Sequence, residues 1–192
     1  MTDKNTIEYL LAEYRNMWTD TRIKKSISED KLIQFIDYLC PYWFETEKCL
    51  MEKVYKNDPD KYNFEWNIWN LGENIRQCLA EQETKRGKSV LLEKAGNVLN
   101  TKEYRHGRVS FTFLFEDYAD VSYSSIFKNV LFDPDVQLQL SCIKAIKKMK
   151  VLDLKTEVEL IMESTPYNWL KKECQKYLNM ISKRKEKEKA SA

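Results

Sequence analysis

Three stretches in the C-terminal half of the chain repeat with a period of about 32 residues, and this period constrains the fold most strongly. In each stretch apolar residues recur at positions i, i+4, i+7 and i+8, the spacing that puts them on one face of a helix. The three sets are Leu91, Ala95, Val98 and Leu99; Tyr123, Phe127, Val130 and Leu131; and Leu154, Val158, Ile161 and Met162. Each set predicts the first helix of a hairpin, and such a period is typical of stacked helical units.

The second helices of the last two units align on Pro134 and Pro166. The aligned apolar pairs are Leu138 with Leu170, Cys142 with Cys174, Ile146 with Leu178, and Met149 with Ile181. The alignment predicts that both helices bury the same face against their neighbours.

Composition supports an all-α fold. Only 4 Gly and 4 Pro occur in 192 residues, which leaves little material for the tight turns of a strand-rich fold. No apolar run is long enough to span a membrane, and residues 1–14 carry charges throughout, which argues against a secretory signal. The 5 cysteines are odd in number and mostly lie in apolar stripes, so we expect reduced, buried thiols and a cytoplasmic location.

The N-terminal half predicts further helices without the repeat. A first helix over 7–18 has Leu10, Leu11, Tyr14 and Trp18 on one face. Ser28 is the predicted N-cap of the next helix, which Pro41 breaks or restarts. The composition of residues 57–60 predicts a loop, and that of residues 84–87 predicts a polar linker. Between these two segments we predict a helix with an apolar stripe. Its members are Ile68, Leu71, Ile75, Cys78 and Leu79.

Residues 108–115 do not fit the helical pattern. Val109, Phe111, Phe113 and Phe115 alternate with the period of a strand. We nevertheless predict a helix, because the flanking segments are helical and an isolated strand could not satisfy its backbone hydrogen bonds.

Residues 133–149 begin with Asp-Pro-Asp and continue as an amphipathic helix with small residues at Ser141, Cys142 and Ala145. This run resembles the second helix of a HEAT-like repeat. The resemblance implies an α-solenoid in which residues 89–182 form three HEAT-like hairpins and residues 1–82 a divergent helical cap. The whole would be one helical domain over 1–182, followed by a charged flexible tail over 183–192.

The sequence offers little material for catalysis. His106 is the single histidine, and no second histidine or cysteine lies near it at metal-ligand spacing. No glycine-rich phosphate loop or nucleophile motif occurs. We therefore expect a non-enzyme with no cofactor and no metal.

Two groups of residues are candidates for binding a partner. Five carboxylates could form one acidic edge along the hairpin turns, although aspartates at helix starts are also ordinary caps. They are Glu116, Asp117, Asp120, Asp133 and Asp135. Trp66 and Trp69 lie beside the apolar stripe of their helix, and exposed tryptophans are favoured anchors of interfaces.

A short helical chain with an irregular cap and an acidic edge resembles the immunity proteins of contact-dependent growth inhibition systems. That resemblance implies a protein partner, a bacterial toxin domain with a basic surface. The alternative is nucleic-acid binding, because HEAT-like arrays also occur in alkylated-DNA glycosylases. Its phosphate contacts would be Lys144, Lys147, Lys148, Lys171 and Lys172. The net charge of +2, with the basic excess confined to residues 142–192, favours the protein partner over nucleic acid.

Overall fold

The apolar stripes of the sequence become helices that pack in chain order. The structure is a computed structural model that describes residues 4–54 and 63–190, and all regular secondary structure in these ranges is helical. The α-helices are α1 (Lys4–Thr19), α2 (Thr21–Ser26), α3 (Glu29–Gln34), α4 (Cys40–Val54), α5 (Asn63–Glu81), α6 (Val90–Asn100), α7 (Val109–Tyr118), α8 (Ser124–Val130), α9 (Val136–Met149), α10 (Lys155–Ser164) and α11 (Asn168–Ala190). A π-helical turn (Phe35–Leu39) and two 3₁₀ segments (Lys102–Arg108 and Val121–Tyr123) connect some of them.

The repeated stripes form the core. Every residue of the three first-helix sets is buried except Met162, which is partly buried, and all eight residues of the second-helix pairs are buried. The buried side chains make one continuous cluster that runs from Leu10 to Ile181. The period found in the sequence therefore marks the positions that pack between helices.

Helices α5, α7, α9 and α11 pack side by side in that order, and α6, α8 and α10 each pack against the helix that follows. Contacts at both ends show that α7 and α9 run in the same direction. Lys148 in the last turn of α9 contacts Asp117 in the last turn of α7. His106, just before α7, contacts Asp135, just before α9. This common direction decides which loops share an edge.

Helix α7 explains the strand-like alternation of residues 108–115. It packs against α5, α6 and α9, so polar and apolar residues alike are buried around it, including Ser110 and Thr112. A helix that is buried all round loses the one-sided stripe by which helices are recognised. The prediction of a helix in this segment is confirmed.

Local signals in the N-terminal half had mixed outcomes. The Ser28 side chain caps α3 by accepting a hydrogen bond from the backbone N–H of Lys31, as predicted. Of the two alternatives for Pro41, the structure favours a restart: α4 begins at Cys40, directly after the π-helical turn, and Pro41 lies in its first turn. Trp18 is 48% exposed, whereas its neighbour Met17 is fully buried, so the apolar face of α1 is rotated from the predicted one.

Other predictions concern the chain's ends and loops. Helix α11 continues to Ala190, so residues 183–190 of the predicted charged tail are helical. The predicted loop at 57–60 lies outside the described residues, as does the side chain of Cys49. Within the described ranges, no helix has both the length and the apolar character needed to cross a membrane.

Candidate partner-binding surfaces

The five carboxylates predicted to form one acidic edge lie in two separate groups. Glu116 and Asp117 are in the last turn of α7 and Asp120 follows it, whereas Asp133 and Asp135 precede α9. Because α7 and α9 point the same way, the groups lie at opposite ends of α9, whose 14 residues span about 21 Å. The prediction of a single patch was wrong. The first group lies in the turn between two hairpins, and the second lies in the turn within the hairpin of α8 and α9. These two kinds of turn fall on opposite edges of the array.

The first group is engaged within the chain. Asp117 accepts hydrogen bonds from Arg76 (Nε to Oδ2, 2.6 Å) and Lys148 (Nζ to Oδ1, 2.9 Å). Burial alone would raise the pKa of Asp117, but these two cations outweigh it and lower the pKa. Glu116 lies 3.9 Å from Lys148, and Asp120 caps the 3₁₀ segment through the Ser122 N–H at 2.8 Å. Asp117 thus ties α5, α7 and α9 together, and Glu116 adds a second contact between α7 and α9.

The second group is built into the turn before α9. Asp133 is buried in an ion pair with Arg108, Nη2 to Oδ2 at 2.8 Å, with both side chains only 3% exposed. Asp135 is the N-cap of α9, accepting from the N–H groups of Gln137 and Leu138 at 2.9 and 3.1 Å. Asp133 therefore cannot contact a partner, and the capping interpretation of Asp135 is correct.

Arg108 is a structural residue that the sequence reasoning missed. Besides Asp133, it donates to the carbonyl oxygens of Leu99 (3.1 Å) and Arg105 (2.9 Å), so it joins the end of α6 to the turn before α9. One feature of the sequence could have identified this role: Arg108 is a single cation at the start of the most apolar segment of the chain. Its partner Asp133 is 25 residues away. A cation in such a place requires a buried anion.

Trp66 and Trp69 form an exposed stack on the first turns of α5. Their ring centroids are 5.5 Å apart and their planes differ by 4°. Trp66 is 60% exposed and Trp69 is partly buried. Together with Glu65 and His106 they line a groove of about 400 Å³. We refer to Trp66 and Trp69 as the tryptophan pair.

The segment Lys102–Arg108 brings His106 to this groove. Arg105 has a φ of 48°, a left-handed conformation that turns the chain, and its guanidinium lies 3.4 Å from Glu65. Gly107 allows the close approach to α5, because a Cβ there would lie 2.8 Å from the carbonyl oxygen of Glu65. The exposed ring of His106 is held by Asp135, whose Oδ2 lies 2.9 Å from Nδ1.

A second and larger groove lies at the other end of α9. It has a volume of about 820 Å³ and lies between the end of α9 and the middle of α11. Its lining residues are Lys147, Lys148, Lys150, Lys176, Asn179, Met180, Lys183 and Arg184. We call it the lysine groove. Of the lysines considered as phosphate contacts, Lys147 and Lys148 line it, and Lys144, Lys171 and Lys172 do not.

The four thiols that the structure describes are buried and protonated. Cys40, Cys78, Cys142 and Cys174 are free and buried, and burial raises the pKa of all four, to about 11 for Cys78 and Cys174. A thiol in such surroundings is a poor nucleophile. In the described part of the chain, no three histidine, cysteine, aspartate or glutamate side chains are grouped to hold a metal ion.

Two surfaces formed by the described residues are thus candidates for binding a partner. The tryptophan pair lies at the N-terminal ends of α5 and α7, and the lysine groove lies at the C-terminal end of α9. They differ in chemistry, since the first is aromatic and the second is cationic. Comparison of the chain with protein-family models, with curated proteins and with solved structures found no match.

Proposed function

We propose that this protein is a non-enzymatic protein-binding module, and that it acts as an immunity protein that neutralises a bacterial toxin domain by stoichiometric binding. The observation that carries the proposal is the exposed, stacked tryptophan pair beside a groove. Tryptophan combines a large apolar surface with an N–H donor, and it is the residue type most enriched among the energetically dominant residues of interfaces.

The surroundings of the tryptophan pair support a preformed binding surface. Ile68, between the two tryptophans in sequence, is fully buried, so this turn of α5 is anchored in the core. The stack limits the rotamers of both rings, and Asp135 holds the His106 ring at the edge of the groove. A surface that is ordered before binding loses less conformational entropy when the partner arrives.

The helix order supports the HEAT-like interpretation of the repeats. Consecutive hairpins that pack in chain order present extended surfaces along their edges, and such arrays commonly bind proteins. The proposal does not require a basic toxin surface, because all five proposed carboxylates interact with groups of the chain itself. The anchor is aromatic, with Glu65 and Asp135 as the carboxylates beside it.

Nucleic-acid binding remains the second candidate, because Lys147 and Lys148 line a cationic groove. Acidic side chains of the chain itself pair with these lysines, Glu173 with Lys147 and Asp117 with Lys148. Internal pairing reduces the charge available to phosphates. The protein-binding function is therefore the better supported of the two.

The test uses the product of the neighbouring reading frame as the partner. We expect calorimetry to give a one-to-one complex and co-expression to protect cells from that product. Trp66→Ala should weaken binding about 30-fold, the equivalent of about 2 kcal/mol for a dominant interface residue. Trp169→Ala is the matched control, because Trp169 is 40% exposed and also contacts a second aromatic ring, that of Tyr167.

Three outcomes would contradict the proposal. Unchanged affinity of a folded Trp66→Ala variant would remove the tryptophan pair from the interface. Equal losses in Trp66→Ala and Trp169→Ala would show that no particular aromatic pair is the anchor. A neighbouring product that is neither bound nor neutralised would refute the immunity function.

A further inference from the structure

The lysine groove is built by cations from two different helices. Lys147 and Lys148 lie in the last turn of α9, where basic residues ordinarily complement the helix dipole. Lys176 and Lys183 come from the interior of α11, which continues to Ala190, so a helix end does not account for them. The convergence of the two sets on one groove requires another explanation.

Carboxylates that do not line the groove hold part of this charge in place. Glu173, whose side chain is 7% exposed, is bound by Lys147 and also accepts from Lys176 at 3.0 Å. The cations outweigh burial and lower the pKa of Glu173, which keeps it ionised. None of the described residues that line the groove carries a carboxylate, so its open side is cationic.

Lys150 has a backbone conformation that is unfavourable for lysine. It ends α9 in a left-handed conformation with a φ of 61°, a position for which glycine is the usual residue. Its backbone N–H makes the capping hydrogen bonds to Ile146 and Lys147, for which glycine would serve as well. The side chain at this position adds a charge to the groove, and among the described residues it forms no hydrogen bond or ion pair. It also lines a smaller neighbouring pocket that includes Asp120.

The floor of the groove is apolar. Met180 is partly buried and packs against the core, and the aliphatic stems of the surrounding lysines extend the apolar surface. Methionine adapts its shape to a partner more readily than branched side chains do. An apolar floor with a cationic rim is complementary to a helix that is apolar on one side and acidic on the flanks.

We infer that the lysine groove docks an acidic amphipathic helix of a protein partner. The partner's helix places its apolar side chains on Met180 and its carboxylates against Lys150 and Lys183. A nucleic-acid strand fits less well, because the lining includes no aromatic ring for base stacking and three of its lysines already pair with carboxylates. This site lies at the opposite end of α9 from the tryptophan pair and does not depend on it.

The experiment uses a fluorescein-labelled amphipathic peptide of leucine and glutamate, about 18 residues long, with binding measured by fluorescence anisotropy at low salt. We expect the unmodified chain to bind this peptide. The double variant Lys150→Glu with Lys183→Glu should bind it at least about tenfold more weakly, because two attractive charges become repulsive. The matched control, Lys144→Glu with Lys172→Glu, makes the same charge change at exposed lysines outside the groove and should change affinity less than about threefold.

A second variant separates binding from folding. Lys150→Gly removes the left-handed strain, so its melting temperature should be unchanged or higher while its affinity for the peptide falls. A loss of affinity in both groove variants but not in the control supports the inference.

Several outcomes would overturn the inference. They are failure of the unmodified chain to bind the peptide, equal binding of a polyglutamate peptide without leucine, and tighter binding of a DNA oligonucleotide of similar length. Equal loss in the control variant would also overturn it, since the effect would then be one of net charge alone.

Discussion

Removing Arg108 tests whether its buried ion pair holds the hairpins together. Arg108→Met leaves Asp133 buried without its cation and also removes the donors to the carbonyl oxygens of Leu99 and Arg105. Loss of one partner of a buried pair costs about 3–5 kcal/mol. Domains are stable by about 5–15 kcal/mol, so the variant should fold, with its melting temperature lowered by about 6–20 °C for a chain of this length.

The assay is urea unfolding followed by circular dichroism and tryptophan fluorescence. Combining Arg108→Met with Asp133→Leu should recover part of the loss, because the second change removes the unpaired buried charge. Arg105→Met is the surface control: its ion pair with Glu65 is half-exposed, and we expect a change below about 1 kcal/mol. The reasoning is refuted if Arg108→Met costs less than about 1 kcal/mol, or if the double variant is no more stable than Arg108→Met.

Two further predictions concern other parts of the core. Cys142→Asp should prevent folding, because the side chain is fully buried in the cluster and an unpaired carboxylate there costs roughly several kcal/mol; a melting temperature close to that of Cys142→Ala would contradict this. Burial raises the pKa of Glu73, and one of its oxygens is buried without a hydrogen bond, so the ionised form destabilises the fold. Glu73→Gln should therefore raise the melting temperature at pH 7, with a difference that shrinks as the pH falls and Glu73 becomes protonated. Thermal melts from pH 4 to 8 measure this, and a difference that grows toward low pH would be the wrong sign.

Much of the helical architecture could be predicted from local sequence patterns. The apolar period located the first helices, Pro134 and Pro166 marked the start of α9 and α11, and Ser28 was recognised as a cap. These signals work because each depends on residues within a few positions of one another. The prediction for α7 needed its neighbours, since a helix buried on all sides has no polar face.

The candidate sites could be predicted only in part. Trp66 and Trp69 were identified because their positions lie beside the stripe of one helix, and in the structure they stack, with Trp66 exposed and Trp69 partly buried. The five carboxylates were correctly placed at helix ends but wrongly grouped. The sequence does not reveal that α7 and α9 are parallel. Because they are parallel, Asp117 and Asp135 lie at opposite ends of α9.

The sequence by itself therefore determined most of the helices, the apolar faces of the repeats and the cap at Ser28, because periodicity and capping are local properties of the chain. Only the tertiary structure decided which charges meet. Arg108 and Asp133 lie 25 residues apart, Lys148 and Asp117 lie 31 apart, and Arg76 and Asp117 lie 41 apart. The physical reason is that such pairs depend on the relative direction and offset of packed helices. The same packing pairs several of the predicted acidic-edge residues with cations of the chain itself, and it leaves the lysine groove exposed.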